Sequence, residues 1–229
     1  MLKILSWNIL QGGGSRVNAI LKFIHHQKAQ IVVLSEFKNN EKGEKIRTAL
    51  LQQKYFHQAV GATPKDENTV LVASKIPFES KHFGAQNWDY NYGVVGAKFD
   101  SFTLYGVYLP HKKKHKLFKL LKEDVVKNVP SIIAGDFNSG KNFIDQKGDS
   151  FWYEKDLFAL EKEGMVDAFR YINDDTKVYS WFSHKGNGFR YDHTYVHTNL
   201  LAVVKECDYL HKAREEKLSD HSPMYLVLG

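Results

Sequence analysis

Ser131-Ile132-Ile133-Ala134-Gly135-Asp136-Phe137-Asn138 reads as a buried strand that runs directly into polar chemistry. A short apolar run closed by a glycine fits a strand covered on both faces. Asp136 and Asn138 then stand two residues apart, and side chains at i and i+2 of an extended segment point the same way. A potential base and an amide therefore share one face, beside a glycine that permits close backbone approach. An ordinary Asp/Asn turn is the competing reading of this triplet.

Working outward, further apolar, strand-like runs occur at 2–6, 31–35, 69–73, 94–99, 103–109, 194–197 and 224–228. Helical spacing of apolar residues marks 16–27, 42–54, 115–127 and 153–163. Strands followed by helices in the first half and mostly strands in the second predict an α/β domain with central sheets and outer helices. No Pro, Gly or Ser linker, internal repeat or low-complexity tract interrupts the pattern, so residues 1–229 are expected to form a single domain.

With 43% hydrophobic and 14% aromatic residues, the 229-residue chain carries enough apolar surface for a sizeable core. The net charge of +6 is a mild excess that tilts toward a polyanionic partner. A single cysteine, Cys207, excludes a disulfide or a Cys-based zinc site within this sequence and favours a reducing, intracellular setting. The apolar stretch at the N-terminus is too short for a signal h-region, and no later segment approaches the roughly 20 apolar residues that span a bilayer. These features predict a cytoplasmic protein with no membrane contact and no obligate protein partner.

Residues of metal-ligand or acid/base type repeatedly follow the apolar runs, at the strand ends where sites are built on rigid scaffolds. Asn8 follows Ile4-Leu5-Ser6-Trp7 and precedes a turn at Gln11-Gly12-Gly13-Gly14; it reads equally as an N-capping residue. Glu36 is carried to the end of Ile31-Val32-Val33-Leu34-Ser35, where a carboxylate needs either a divalent cation or a basic partner. In Arg190-Tyr191-Asp192-His193, Asp192 is a carboxylate able to orient a histidine, and Asp220-His221 places a second carboxylate beside an imidazole before the last strand. Tyr108-Leu109-Pro110-His111 leads into Lys112, Lys113, Lys114, His115 and Lys116. That basic cluster reads either as a solvated helix start or as a surface for phosphates. Trp152, Tyr153 and Trp181 are residues able to stack on bases, against the commoner reading of aromatics as core, which is the one preferred for Trp181.

Taken in order, Ser6-Trp7-Asn8, Leu34-Ser35-Glu36, Tyr108-Leu109-Pro110, Gly135-Asp136-Phe137-Asn138, Arg190-Tyr191-Asp192-His193 and Ser219-Asp220-His221 resemble the endonuclease/exonuclease/phosphatase superfamily, the deoxyribonuclease I-like and exonuclease III-like proteins. The resemblance spans the chain. It implies a four-layer α/β sandwich, in which two mixed β-sheets lie face to face with helices outside. It also implies a divalent cation, Mg²⁺ or Mn²⁺, held by Glu36 with Asn8 and Asp220. Asp136 resembles the residue that activates or orients the attacking water. Asn138 and Tyr108 resemble the phosphate contacts, and His221 the histidine beside the phosphate, polarised by Asp192. Lys112, Lys113, Lys114, Lys116 and Arg190 are expected to touch the substrate, and the expected partner is nucleic acid, DNA in particular.

Two departures modify that picture. Leu10 stands where abasic-site nucleases of the exonuclease III type commonly have an acidic residue, which argues against an abasic-site specialist. His111 stands where they carry Asn or Gln, and it matches a histidine that deoxyribonuclease I-like members use as a general acid. Hydrolysis of a small phosphoester, such as an inositol phosphate, nucleotide or phospholipid head group, is the alternative activity. A catalytically inactive binding module is the third reading, although every matched position holds a competent residue.

Overall fold

A computed structural model describes residues 1–64, 66–83, 93–112 and 114–229. The first half contains β1 (Leu2–Asn8), α1 (Val17–Gln27), β2 (Ile31–Lys38), α2 (Glu41–Gln52), β3 (His57–Val60), β4 (Asn68–Ser74), β5 (Glu79–His82), β6 (Val94–Lys98), β7 (Thr103–Tyr108), α3 (His115–Val125) and β8 (Ser131–Asp136). The second half adds α4 (Glu154–Lys162), β9 (Met165–Asp167), α5 (Ala168–Asn173), β10 (Trp181–Phe182), β11 (Gly188–Phe189), β12 (Asp192–His197), β13 (Val204–Tyr209), α6 (His211–Glu215) and β14 (Met224–Leu228). No helix among the described residues is long and apolar enough to cross a membrane.

The strands form two six-stranded sheets, ordered β13-β14-β1-β2-β4-β3 and β5-β6-β7-β8-β12-β9, and β10 and β11 pair as a separate ribbon. Each large sheet is mixed, because β1 runs parallel to β2 and β7 parallel to β8 while the other pairings are antiparallel. Alternation along the strands explains the layering. Ile31 and Val33 meet Leu104, Ile132 and Ala134 in a core between the sheets. Val32 and Leu34 face the other way and pack with Ile20 and Ile24 of α1 and Ile46 and Leu50 of α2. Tyr105 and Ile133 cover the outer face of the second sheet with Phe118 and Leu121 of α3 and Leu157 and Leu160 of α4. This is the expected four-layer α/β sandwich. The sheets pack closely at Gly106, where an added Cβ would lie 2.7 Å from a methyl of Val72.

All the expected strands and helices form, with shifts at their ends that matter for the site. β2 continues to Lys38 instead of stopping at Ser35, and its pairing with β4 slips between Ser35 and Phe37. The extra residue is Glu36, at φ 53. A bulge of this kind re-aims one side chain without ending the strand. β12 begins at Asp192, two residues before the expected start at Thr194, and this sets Asp192 opposite Asp136 on β8.

Candidate active site

The polar residues singled out at strand ends converge where the edges of the two sheets meet. Asn8, at the end of β1, is fully buried, and its Nδ2 donates to Glu36 Oε1 at 3.1 Å and to Asp136 Oδ2 at 2.8 Å. Its Oδ1 accepts from the backbone N–H of Leu10 at 2.9 Å. Two acceptors on one side and one donor on the other fix the amide's orientation. Asn8 therefore presents N–H groups to Glu36 and Asp136 and steadies both carboxylates.

Glu36 is half-buried, and its other oxygen accepts from the backbone N–H of Gln11 at 2.8 Å and from Gln11 Nε2 at 3.2 Å. Glu36, Gln11 and Asn138 all have positive φ, at 53°, 52° and 46°. Such conformations cost about 1 kcal/mol or more each and persist where their surroundings hold them, commonly at functional sites.

Asp136 ends β8, just past Gly135, whose φ is 152° and whose missing Cβ would collide with the Val107 carbonyl at 1.9 Å. No larger residue fits at 135. The Asp136 carboxylate collects donors: Asn138 N–H on Oδ1 at 2.7 Å, and Asn138 Nδ2 on Oδ2 at 3.1 Å beside Asn8. Burial pushes this carboxyl up to about 7; His221 pulls it down and Asp192 pushes it further up. Asp192 Oδ2 lies 2.7 Å from His221 Nδ1. Burial alone would lower His221, but Asp192 and Asp136 hold it up at about 10, so the ring is an imidazolium at neutral pH. Ligand-type atoms of Asp136, Asp192 and His221 all lie within 4.8 Å of one another.

Further contacts at this edge tie β2 to β7 of the other sheet and β1 to the loop that leads into β14. Ser35 Oγ donates to the Val107 carbonyl at 2.9 Å, Trp7 Nε1 to the His221 carbonyl at 3.1 Å, and Ser219 Oγ to the Asn8 carbonyl at 2.7 Å. Asp220 accepts from Trp181 Nε1 at 2.9 Å. Trp181, expected in the core, is instead half-buried beside Tyr191 and His221. Sequence reasoning missed Gln11, Ser35 and Trp181 as site partners. Only Gln11 carried a signal, since it opens the glycine turn that follows Asn8.

Two clefts flank the network. Tyr108, paired in register with Asp136, lines one of about 380 Å³ with Gln11, Lys38 and Asn68. His111 is exposed and lines another of about 300 Å³ with Asn138, Ser139, Trp152 and Tyr191; burial, Lys114 and Lys112 lower its pKa.

The lysine cluster does not form the continuous surface expected of it. Lys112 and Lys116 are exposed, and Lys113 lies outside the described residues. Lys116 lines a different cleft, with Lys81, Lys119 and Lys127. Lys114 is fully buried, and burial brings it down to about 7 against the pull of Asp136 and Asp156. With no exposed surface, it has no route to a substrate backbone.

Arg190 is a second correction. Its side chain is fully buried, with Nε 2.7 Å from Asp145 Oδ1 and Nη2 2.5 Å from Asp167 Oδ2, so every face of the guanidinium is spent inside the fold. Burial would raise both carboxyls, yet Arg190 holds them below the usual carboxylate range. Arg190→Met is expected to destabilise the protein by about 3 kcal/mol, because it takes the shared guanidinium from two buried carboxylates and leaves Asp145 to Arg170 and Asp167 to His193. Urea unfolding measures this; a loss under about 1 kcal/mol, the scale of an exposed ion pair, would show that the pair is dispensable.

The solved structures most like this chain include a 3′ phosphatase, NExo, from Neisseria bound to a product DNA hairpin, 21% identical with a TM-score of 0.84 over 100% of both chains. An AP endonuclease from Archaeoglobus fulgidus, also 21% identical, matches with a TM-score of 0.84 over 100% of this chain and 99% of that one. A 3′-5′ exonuclease, NExo, from Neisseria meningitidis is 22% identical with a TM-score of 0.82 over 99% of each chain. At these identities the likeness speaks for the fold. The sequence itself matches the model of the Endonuclease/Exonuclease/phosphatase family over residues 5–221. That span runs from the first buried strand to the histidine bonded to Asp192, and it makes this chain a member of the endonuclease/exonuclease/phosphatase family.

Proposed function

We propose that the protein is a divalent-cation-dependent phosphodiesterase that cleaves nucleic acid, DNA in particular. The observation that carries this reading is the unbroken network from Glu36 through Asn8 to Asp136 and Asn138, with the Asp192–His221 pair packed against it. Phosphoryl transfer asks for positioned charge and an oriented nucleophile more than for covalent help.

Glu36 fits a cation better than the Asp136, Asp192 and His221 group does. Glu36 takes only N–H donors and makes no ion pair among the described residues, which leaves its charge available to a cation. His221 is protonated and committed to Asp192, and an imidazolium has no lone pair for a metal. Glu36 would hold the ion, with Asp220 as a second carboxylate, in the oxygen-rich setting that Mg²⁺ and Mn²⁺ prefer. Such an ion, when bound, stabilises charge on the phosphate.

In this reading Asp136 takes the proton of the attacking water, and Asn138 orients that water or the scissile phosphate. A base whose pKa burial brings near 7 is matched to work at neutral pH. His221 donates to a phosphate oxygen from the ring nitrogen that Asp192 does not use, and Tyr108 contacts the phosphate from the neighbouring strand. His111 is the candidate second imidazole, and Lys112 a phosphate contact. The DNA assignment draws on the net charge of +6 and on the DNA hairpin bound by the Neisseria relative. That relative's description as a 3′ phosphatase makes terminal phosphomonoester cleavage the second reading.

The test incubates the protein and Mg²⁺ or Mn²⁺ with plasmid, single-stranded and 3′-phosphorylated DNA, RNA and phosphorylated small molecules. DNA cleavage that chelator abolishes and either ion restores is expected. Full activity in excess chelator overturns the cation assignment. Turnover of a small phosphoester with no action on nucleic acid overturns the DNA assignment.

A further inference from the structure

Lys114 is a buried amine to which the proposed reaction gives no task. Its side chain is wholly buried and, among the described residues, makes no ion pair. Nζ donates instead to two backbone carbonyls, that of Phe137 at 2.9 Å and that of Asn138 at 2.6 Å, and lies 4.9 Å from the centre of the Tyr153 ring. Removing an ammonium from water is costly, and a methionine would occupy similar space without that cost. A buried polar amine in place of an apolar side chain therefore calls for an explanation in what it binds.

We propose that Lys114 is a positioning residue, which grips the carbonyls of the 137–138 turn and so aims the N–H groups of Asn138 at the Asp136 carboxylate. The proposal rests on the reading that Asp136 handles the attacking water. β8 ends at Asp136, so the carbonyls of Phe137 and Asn138 lie beyond its ladder, although the Phe137 N–H still reaches the Tyr191 carbonyl at 2.9 Å. Asn138 is held at φ 46. In that conformation its N–H reaches Asp136 Oδ1, and its amide spans Asp136 Oδ2 and the Leu109 carbonyl.

The turn is thus held from both sides, N–H groups by Asp136 and carbonyls by Lys114. Without the Lys114 amine, two buried carbonyls lose their donor, and the easiest relief is to rotate the peptides. Rotation carries the Asn138 N–H off Asp136. A lysine suits this place because its single nitrogen can donate to both carbonyls at once, with the Tyr153 ring against it.

A merely structural peg at the start of α3 would alter stability alone, so the test separates the two. Lys114→Met is expected to lower kcat about 30-fold with KM within about twofold, the signature of lost orientation. Hydrogen exchange at the Asn138 amide should accelerate in the same variant. In Lys114→Ala, added methylammonium should restore part of kcat. Lys114→Gln keeps a donor for one carbonyl and should lose less, and it serves if the methionine variant misfolds. Wild-type kcat in the folded methionine or glutamine variant, or wild-type protection of the Asn138 amide, overturns the proposal. If the wild-type protein cleaves no phosphoester, the functional reading falls, while the exchange comparison still decides whether Lys114 holds the turn.

Discussion

Asp136→Asn is expected to give a folded protein whose turnover is lower by about three orders of magnitude, within the range for loss of an acid/base group. The fold should survive because burial already favours the neutral carboxyl, raised to about 7, so an uncharged isostere forfeits no essential ion pair. The chemistry should not survive. Three N–H groups converge on this carboxylate, one on Oδ1 and two on Oδ2. An amide has one oxygen to meet them, so one of its faces must set N–H against N–H. The variant therefore loses both its proton acceptor and the order around it. Turnover at saturating Mg²⁺ or Mn²⁺, together with a thermal melt, checks this; activity within about tenfold of wild type would remove Asp136 from the acid/base role.

His221→Ala should cost about two orders of magnitude, the scale for a charge-stabilising donor. Asp192→Asn should cost less in rate, yet leave a clearer mark on pH dependence. The folded pKa of His221, about 10, lies above the ordinary 6.5, because Asp192 and then Asp136 outweigh the effect of burial. For a raised pKa, the stabilisation from the charged ring is complete below 6.5 and is lost as pH climbs through 10. Wild-type activity should accordingly fall on its alkaline side near 10. In Asp192→Asn that limb should move toward the ordinary value. A limb that stays in place would show that Asp192 is not what holds the proton on His221.

Much of this was legible in the sequence, for identifiable reasons. Strands such as 31–35 and 131–134 announce themselves because both faces are buried, and an unbroken apolar run has few other uses. The residues just past them, Glu36, Asp136 and Asn138, were legible for the same reason, since polarity stands out against such runs. The strands that escaped notice are short or edge strands with polar composition. Glu79–His82 is mostly exposed, and Val204–Tyr209 is interrupted by a register shift, so neither shows clean alternation. The two reassigned cations, Lys114 and Arg190, were illegible for a different reason. A basic residue is read by default as solvated, and only tertiary structure reveals that Arg190 sits between Asp145 and Asp167, or that Lys114 turns inward to backbone carbonyls. The bulge that re-aims Glu36 likewise leaves no compositional trace.

The contacts that assemble the site are also fasteners. Asn8 belongs to one sheet and Asp136 to the other; Ser35 reaches across to Val107, and Tyr209 to the Asp192 carbonyl. Competence for chemistry is therefore bound to a local opening equilibrium at this edge of the sandwich. An excursion that parts the two edges erases the constellation while the three apolar clusters stay packed. Conversely, any ligand that engages both sheets at once acts as a clasp, and part of its binding free energy appears as rigidity of the whole sandwich.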